Sequence, residues 1–326
     1  MIYHYSKMSQ IETTVIKQGT KSANVISGSF FSMKDAYRPL SAYEGSLTHF
    51  FKLCVVMTGF EVRIYTDNSG KDIVLKLSEK YPNVSVILFD CPDFREDVGH
   101  KGTFGTLVRF LPLFEAGLKT VWISDIDIVA NFLDETILKK FNDSKAEFRF
   151  RTVICYDQKV YGRHWTILAG TMISKITFPR QILTKFLNKL KDGGLSKIVD
   201  DLNDASKDRR PNSEIPYGID EVFTNSVMYE YLIRHNIKCL IQKDFQSGSY
   251  YYLRYQGHIS KQEIILFERY YAKNESFLIP RMKKILERDL PKAIEDRPCL
   301  KELYDTLDSF KTSFLKYYVV QGKELE

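Results

Sequence analysis

Four times in its first half the chain pairs a short apolar, β-branched run with an amphipathic segment, and this alternation constrains the fold more than any other feature. The runs Asn24–Phe31 (NVISGSFF), Glu61–Tyr65 (EVRIY), Val84–Phe89 (VSVILF) and Thr120–Ser124 (TVWIS) have the length and composition of buried strands. Between them the pattern predicts helices over Ser41–Thr58, Ile73–Tyr81 and Thr103–Glu115. The first carries Leu47, Phe50, Phe51 and Cys54 on one face, the last Leu107, Phe110, Leu111 and Phe114. Strands separated by whole helices pair in parallel, with the helices covering both faces of the sheet. In such a sheet ligands lie beyond the carboxyl ends of the strands. The loop after Phe31, Asp67, Asp90 and Asp125 all stand at those ends.

The second half is less regular. Phe148–Cys155 and Leu168–Ser174 are predicted strands, Phe178–Lys191 and Asp220–His235 helices, and Gly193–Pro216 a polar flexible loop. The expected organisation is an N-terminal polar arm over 1–22 and a catalytic domain over 23–260. That domain has a nucleotide-binding half to about 130 and an acceptor half from about 131. A helical C-terminal segment over 261–326 packs on it, its stripe of Ile264, Ile265, Phe267 and Tyr270 facing the domain; a peripheral membrane or partner surface is the second reading.

Composition excludes several classes. With 326 residues, 44% of them hydrophobic, 20 Tyr and 22 Phe, a sizeable core forms and disorder is excluded. The 47 basic and 41 acidic side chains leave a net charge of +6, dispersed rather than clustered. That suits anionic small molecules and argues against a nucleic-acid partner. Five cysteines lie far apart with no CxxC pair, so neither a zinc knuckle nor a redox motif is present; buried reduced thiols are expected. Met1–Thr20 has no apolar core segment and no run of about 18 apolar residues occurs, so neither a signal peptide nor a transmembrane helix is expected, and the location expected is cytoplasmic.

The sharpest chemical feature is Val121-Trp122-Ile123-Ser124-Asp125-Ile126-Asp127-Ile128-Val129, a buried strand running out into two carboxylates one residue apart. Carboxylate oxygens suit hard cations such as Mn²⁺ or Mg²⁺, which neutralise a diphosphate and help it leave. Arg109, flanked by apolar residues just upstream, has the fork geometry that pairs with phosphate or sugar oxygens. Gly170, in Leu168-Ala169-Gly170-Thr171, marks a strand where backbone approaches something closely. Asp220 and Glu221 open a helix after Pro216-Tyr217-Gly218; as cap and first-turn acids they also simply favour the helix dipole.

These motifs resemble the DxD glycosyltransferases of the GT-A fold, most closely the retaining group that includes glycogenin and bacterial galactosyltransferases, over about residues 24–260. The resemblance implies a Rossmann-like, mainly parallel sheet and transfer of a sugar from a nucleoside-diphosphate sugar, UDP more often than GDP, to a glycan or glycoconjugate hydroxyl. It implies Asp125 and Asp127 as metal ligands, with His258 as a third, and Mn²⁺ or Mg²⁺ as cofactor. Asp125 also contacts the ribose, and Arg109 and Gly170 contact the donor. Ser27, Gly28, Ser29 and Phe30 lie where the nucleotide base sits, although the Asp-x-Asn-Tyr usual there is missing. Asp220 would bond sugar or acceptor hydroxyls, and Glu221 would stand near the anomeric carbon as nucleophile or stabiliser. An inverting enzyme of the same fold, a nucleotidyltransferase, an inactive sugar-nucleotide binder and a nucleic-acid-binding protein are the competing readings.

Overall fold

The computed structural model describes residues 10–33, 40–127, 133–153, 165–206, 212–244 and 315–325, with 280, 281, 284, 287 and 288. His258, Tyr250, Tyr251, Tyr252, Cys155, Cys299, Ile128 and Val129, and nearly all of the expected C-terminal helical segment, lie outside the described residues. The chain forms two compact units, Met1–Phe148 with Ala169–Leu232, and Arg149–Leu168 with Ile233–Glu326.

The first unit is the α/β architecture predicted from the alternation. Its strands are β1 (Glu12–Lys17), β2 (Asn24–Ser29), β3 (Glu61–Thr66), β4 (Val84–Asp90), β7 (Thr120–Ser124) and β9 (Thr171–Ser174), joined in the order β1-β4-β3-β2-β7-β9. A two-residue hairpin, β5 (Arg95–Glu96) with β6 (Gly99–His100), stands apart from that sheet. The four central strands are parallel, and β1 and β9 flank them antiparallel. Helices α1 (Ser41–Val56), α2 (Lys71–Ser78), α3 (Gly105–Val108) and α4 (Glu135–Asp143) connect or follow the strands, and α5 (Gln181–Lys191), α6 (Ser196–Ser206), α7 (Ile219–Phe223) and α8 (Tyr229–Arg234) come later. The predicted stripe of α1 is the buried one: Leu47, Phe50, Phe51 and Cys54 are all inside. Trp122 on β7, Phe89 on β4 and Phe104 are fully buried as well.

Three segments differ from expectation. Within the supposed polar arm, Glu12–Lys17 is an edge strand pairing Glu12 with Asp90 and Thr14 with Leu88. Its β-branched Thr13, Thr14, Val15 and Ile16 favour extended backbone, and an edge position leaves their side chains largely in water, so no apolar run marks it. The helix expected over Thr103–Glu115 is split into α3 and a 3₁₀ turn at Leu111–Phe114, because Pro112 has no N–H and cannot continue an α-helix. Ser196–Ser206, expected as loop, is helical, and Asn203 fastens its last turn to the following chain by hydrogen bonds with the Ser213 N–H and C=O.

The second unit contains most of β8 (Phe148–Val153), β10 (Cys239–Asp244) and β11 (Leu315–Val320), in the order β8-β10-β11. The last two pair antiparallel from Cys239–Val320 to Asp244–Leu315. This described part of the expected helical extension is therefore a strand. Among the described residues no helix is long and apolar enough to cross a membrane.

Candidate active site

The carboxyl ends of β2 and β7 open onto a cavity of about 160 Å³ within the first unit. Gly28 explains why the two ends lie so close. A Cβ there would meet Ile126 Cγ2 at 3.0 Å and the Ser124 carbonyl oxygen at 3.3 Å, so glycine lets β2 pass close beneath the turn that carries the two aspartates without displacing it. The Asp125 N–H donates to the Gly170 carbonyl at 2.8 Å, which fixes that turn against the one entering β9. Asp125 is left partly exposed and Asp127 exposed, both on the cavity.

Arg109 reaches the same place from the residue after α3. Its backbone carbonyl accepts from the Ser27 hydroxyl at 2.7 Å. Its guanidinium meets Asp125 Oδ1 at 2.9 Å and Asp220 Oδ2 at 2.7 Å, and donates to the Ala169 carbonyl at 3.1 Å. The Nε donor is buried with no hydrogen-bond partner among the described residues. Burial works against the guanidinium's charge, but Asp125, Asp220 and Asp127 more than compensate and hold its pKa above the ordinary value.

Gly218, left-handed at φ +95°, turns the chain into α7 and delivers the two acids. Asp220 Oδ1 accepts from the Glu221 N–H at 3.0 Å. Burial raises the Asp220 pKa, with Arg109 offsetting part of the rise. Burial pushes the Glu221 carboxyl up to about 8; repulsion from Asp125 adds to this, while Arg109 and a backbone hydrogen bond from Ala169 oppose it. Asp125, Asp127 and Asp220 thus outnumber the one guanidinium, a surplus of negative charge that favours a cation and repels a bare diphosphate.

The lining also has an apolar, aromatic part made by Phe30, Phe31, Met33 and Tyr43, with Ser29, Thr103 and Thr106. Tyr217 stands at the rim, 50% exposed. Of the sequence candidates, Ser29, Phe30, Arg109, Asp125, Asp127, Gly170, Asp220 and Glu221 all border this one cavity. Ser27 and Gly28 lie behind its lining and support it through Arg109 and Ile126. His258 lies outside the described residues. Lys101 and Thr103 are stitched to the chain before α7: Lys101 pairs with Glu214, and the Thr103 N–H donates to the Ile215 carbonyl at 2.9 Å.

Sequence reasoning missed Tyr43, Thr103, Thr106 and Tyr217 as lining residues. Tyr43 carries no signal, since it falls in an ordinary helical first turn; Tyr217 does, because an aromatic between proline and glycine is held on a tight turn.

Among the described residues no group of three or more His, Cys, Asp or Glu side chains stands ready to hold a metal ion. Two carboxylates nevertheless suffice for Mg²⁺ or Mn²⁺ when phosphate oxygens and water complete the shell. Asp125 and Asp127 are two carboxylates bordering this cavity.

The sequence matches no protein-family model and no curated protein. Among solved structures it is similar to galactosyltransferase LgtC, determined with donor and acceptor sugar analogues, at TM-score 0.36 and 12% identity, over 62% of this chain and 70% of that one. It is also similar to 4-diphosphocytidyl-2C-methyl-D-erythritol synthase from Anaerococcus prevotii DSM 20548, at TM-score 0.29 and 13% identity, over 53% of this chain and 76% of that one. At those scores neither likeness bears on the chemistry, which stands on the residues of the cavity.

Proposed function

We propose that this chain is a metal-dependent glycosyltransferase of the GT-A type, moving a sugar from a nucleoside-diphosphate sugar, UDP favoured and GDP the alternative, to a glycan or glycoconjugate hydroxyl with retention of configuration. The observation that carries the reading is the convergence on one cavity of Asp125, Asp127, Asp220 and Glu221 with Arg109, facing an aromatic wall.

Asp125 and Asp127 would hold Mn²⁺ or Mg²⁺. When bound there, the cation supplies the positive charge that lets a diphosphate approach and depart. Arg109 supplies a fixed guanidinium whose position is set by two carboxylates and a carbonyl, so orienting a sugar or phosphate oxygen costs it little. Asp220 accepts from a sugar or acceptor hydroxyl. Glu221, which lines the same cavity, would stand near the anomeric centre as carboxylate nucleophile or as stabiliser of the oxocarbenium-like transition state. In the exchange the anomeric carbon–oxygen bond to the diphosphate breaks, a bond to the acceptor oxygen forms, and the acceptor's proton leaves to a phosphate or carboxylate oxygen. The aromatic wall of Phe30, Phe31 and Tyr43 offers the base an apolar surface.

The test is turnover of UDP- and GDP-sugars with Mn²⁺ against simple glycosides, with the product's anomeric configuration read by NMR. Retained configuration supports the reading. Inverted configuration reassigns Asp220 or Glu221 as general base within the same fold. No transfer from any donor contradicts the enzyme assignment.

A further inference from the structure

Behind the cavity lies a buried polar chain that the proposed chemistry does not use. Asp67, at the carboxyl end of β3, and His100, on β6, are 1% and 4% exposed. His100 Nδ1 lies 3.0 Å from Asp67 Oδ2, and the Cys91 N–H donates to His100 Nε2 at 3.0 Å. A nitrogen that accepts from a backbone N–H carries no proton of its own. That leaves Nδ1 as the ring's donor, directed at Asp67. The other carboxylate oxygen, Oδ1, accepts from the Ser69 N–H at 3.0 Å and from the Ser69 hydroxyl. The Ser69 oxygen in turn accepts from the Ser32 N–H at 2.8 Å.

This relay begins at the end of β4 and ends on the loop 30–33, which forms the aromatic wall. Its other arm, the backbone after His100, continues into Thr103, Thr106 and Arg109. The ring is clamped: it stacks on Phe104 at 5.3 Å and 18° and lies 4.7 Å from Phe89. Gly99 allows the approach, since a Cβ there would come within 3.0 Å of Asp67 Oδ2. Among the described residues, Asp90 stands 3.5 Å from Nε2 and pairs with Arg95.

We propose that Asp67 and His100 are the positioning pair of the cavity, the Nδ1-protonated imidazole and the Ser69 bridge together setting the loop 30–33 against the segment that delivers Arg109. What the two walls hold rests on the transferase reading; that the pair sets their spacing does not.

The test uses the full-length protein without nucleotide, so its failure is separate from failure of the transferase reading. The ¹⁵N spectrum of histidine-labelled protein, with His100 assigned by its loss in His100→Asn, should show Nδ1 protonated and Nε2 not. Asparagine puts an amide N–H near the Nδ1 position, whereas glutamine reaches only the Nε2 position. Hydrogen exchange of the peptide spanning Phe30–Met33 should therefore stay slow in His100→Asn and quicken about tenfold in His100→Gln, the size of one lost hydrogen bond. A proton on Nε2 in the wild-type protein, or equal exchange in the two variants, overturns the proposal.

Discussion

Arg109 and Asp220, 111 positions apart in the chain, meet through a 2.7 Å contact between Nη2 and Oδ2, and the same guanidinium holds Asp125 at 2.9 Å. The Arg109 side chain is 6% exposed, against 13% for Asp220 and 31% for Asp125. One cation thus joins the carboxyl end of β7 to the start of α7. It also keeps the Asp125 and Asp220 carboxylates compatible with one another.

Removing that cation should cost more than a surface ion pair would. Breaking a buried pair leaves an uncompensated charge inside the protein. Arg109→Gln is expected to destabilise the fold by about 3 kcal/mol in a denaturant titration, and Arg109→Lys by less, since it keeps the charge but loses the fork. A loss within the error of the titration for Arg109→Gln would show that the contact is not sustained in solution.

Glu221 makes stability depend on pH with a defined sign. Its carboxyl is pushed from the ordinary 4.5 up to about 8 in the folded protein. The folded state therefore binds this proton more tightly than the unfolded chain does. The stabilisation is complete below about pH 4.5 and is lost as pH rises through about 8. Asp220, raised as well, works in the same direction. Unfolding free energies measured across this range should fall with pH in the wild-type protein and fall less in Glu221→Gln. If Glu221 acts as a carboxylate in transfer, the rate at saturating metal rises with pH over the same interval. Superimposable stability profiles for the two proteins would contradict the burial of this acid.

Gly105 tests the packing of the aromatic wall. A Cβ at that position would stand 2.3 Å from the Phe31 ring, so Gly105→Ala must displace the ring or the helix. The expected cost is about 1–3 kcal/mol, with weaker nucleotide binding because Phe31 lines the cavity. Unchanged stability would mean that the ring moves freely and does not define a wall.

Tyr217 offers the opposite case. Half exposed on its turn, it contributes little to the core. Tyr217→Ala is expected to leave stability within about 0.5 kcal/mol while raising the KM of the acceptor, as loss of an aromatic platform at the rim would. An unchanged KM for both substrates would remove Tyr217 from the site.

The parallel core was legible because each of its strands is buried on both faces and so appears as an apolar run: β2, β3, β4 and β7 fall within a residue or two of their predicted places. The acidic wall was legible for a different reason. Asp125, Asp127 and Asp220 sit at or just past the ends of predicted elements, where topology alone sends side chains to one edge. The edge strand β1 and helix α6 were not legible, since both expose much of their surface and owe their order to partners distant in sequence, Leu88 for Thr14 and Ser213 for Asn203. Thr103 and Thr106 were hidden inside a predicted helix that Pro112 cuts short. The Asp67–His100 pair, 33 positions apart, carries no local pattern at all. Only the meeting of β3 with the hairpin after β4 brings the two together.

A divalent cation held by Asp125 and Asp127 is central to the proposed transfer. The most direct measurement is the electron paramagnetic resonance of Mn²⁺ titrated into the protein with UDP present, compared between the wild type and Asp127→Asn. Bound Mn²⁺ is expected in the wild type at about one equivalent, with affinity reduced at least about tenfold in the variant, the loss of one charged oxygen ligand. Equal Mn²⁺ binding by the two proteins, or none by the wild type, would contradict that role.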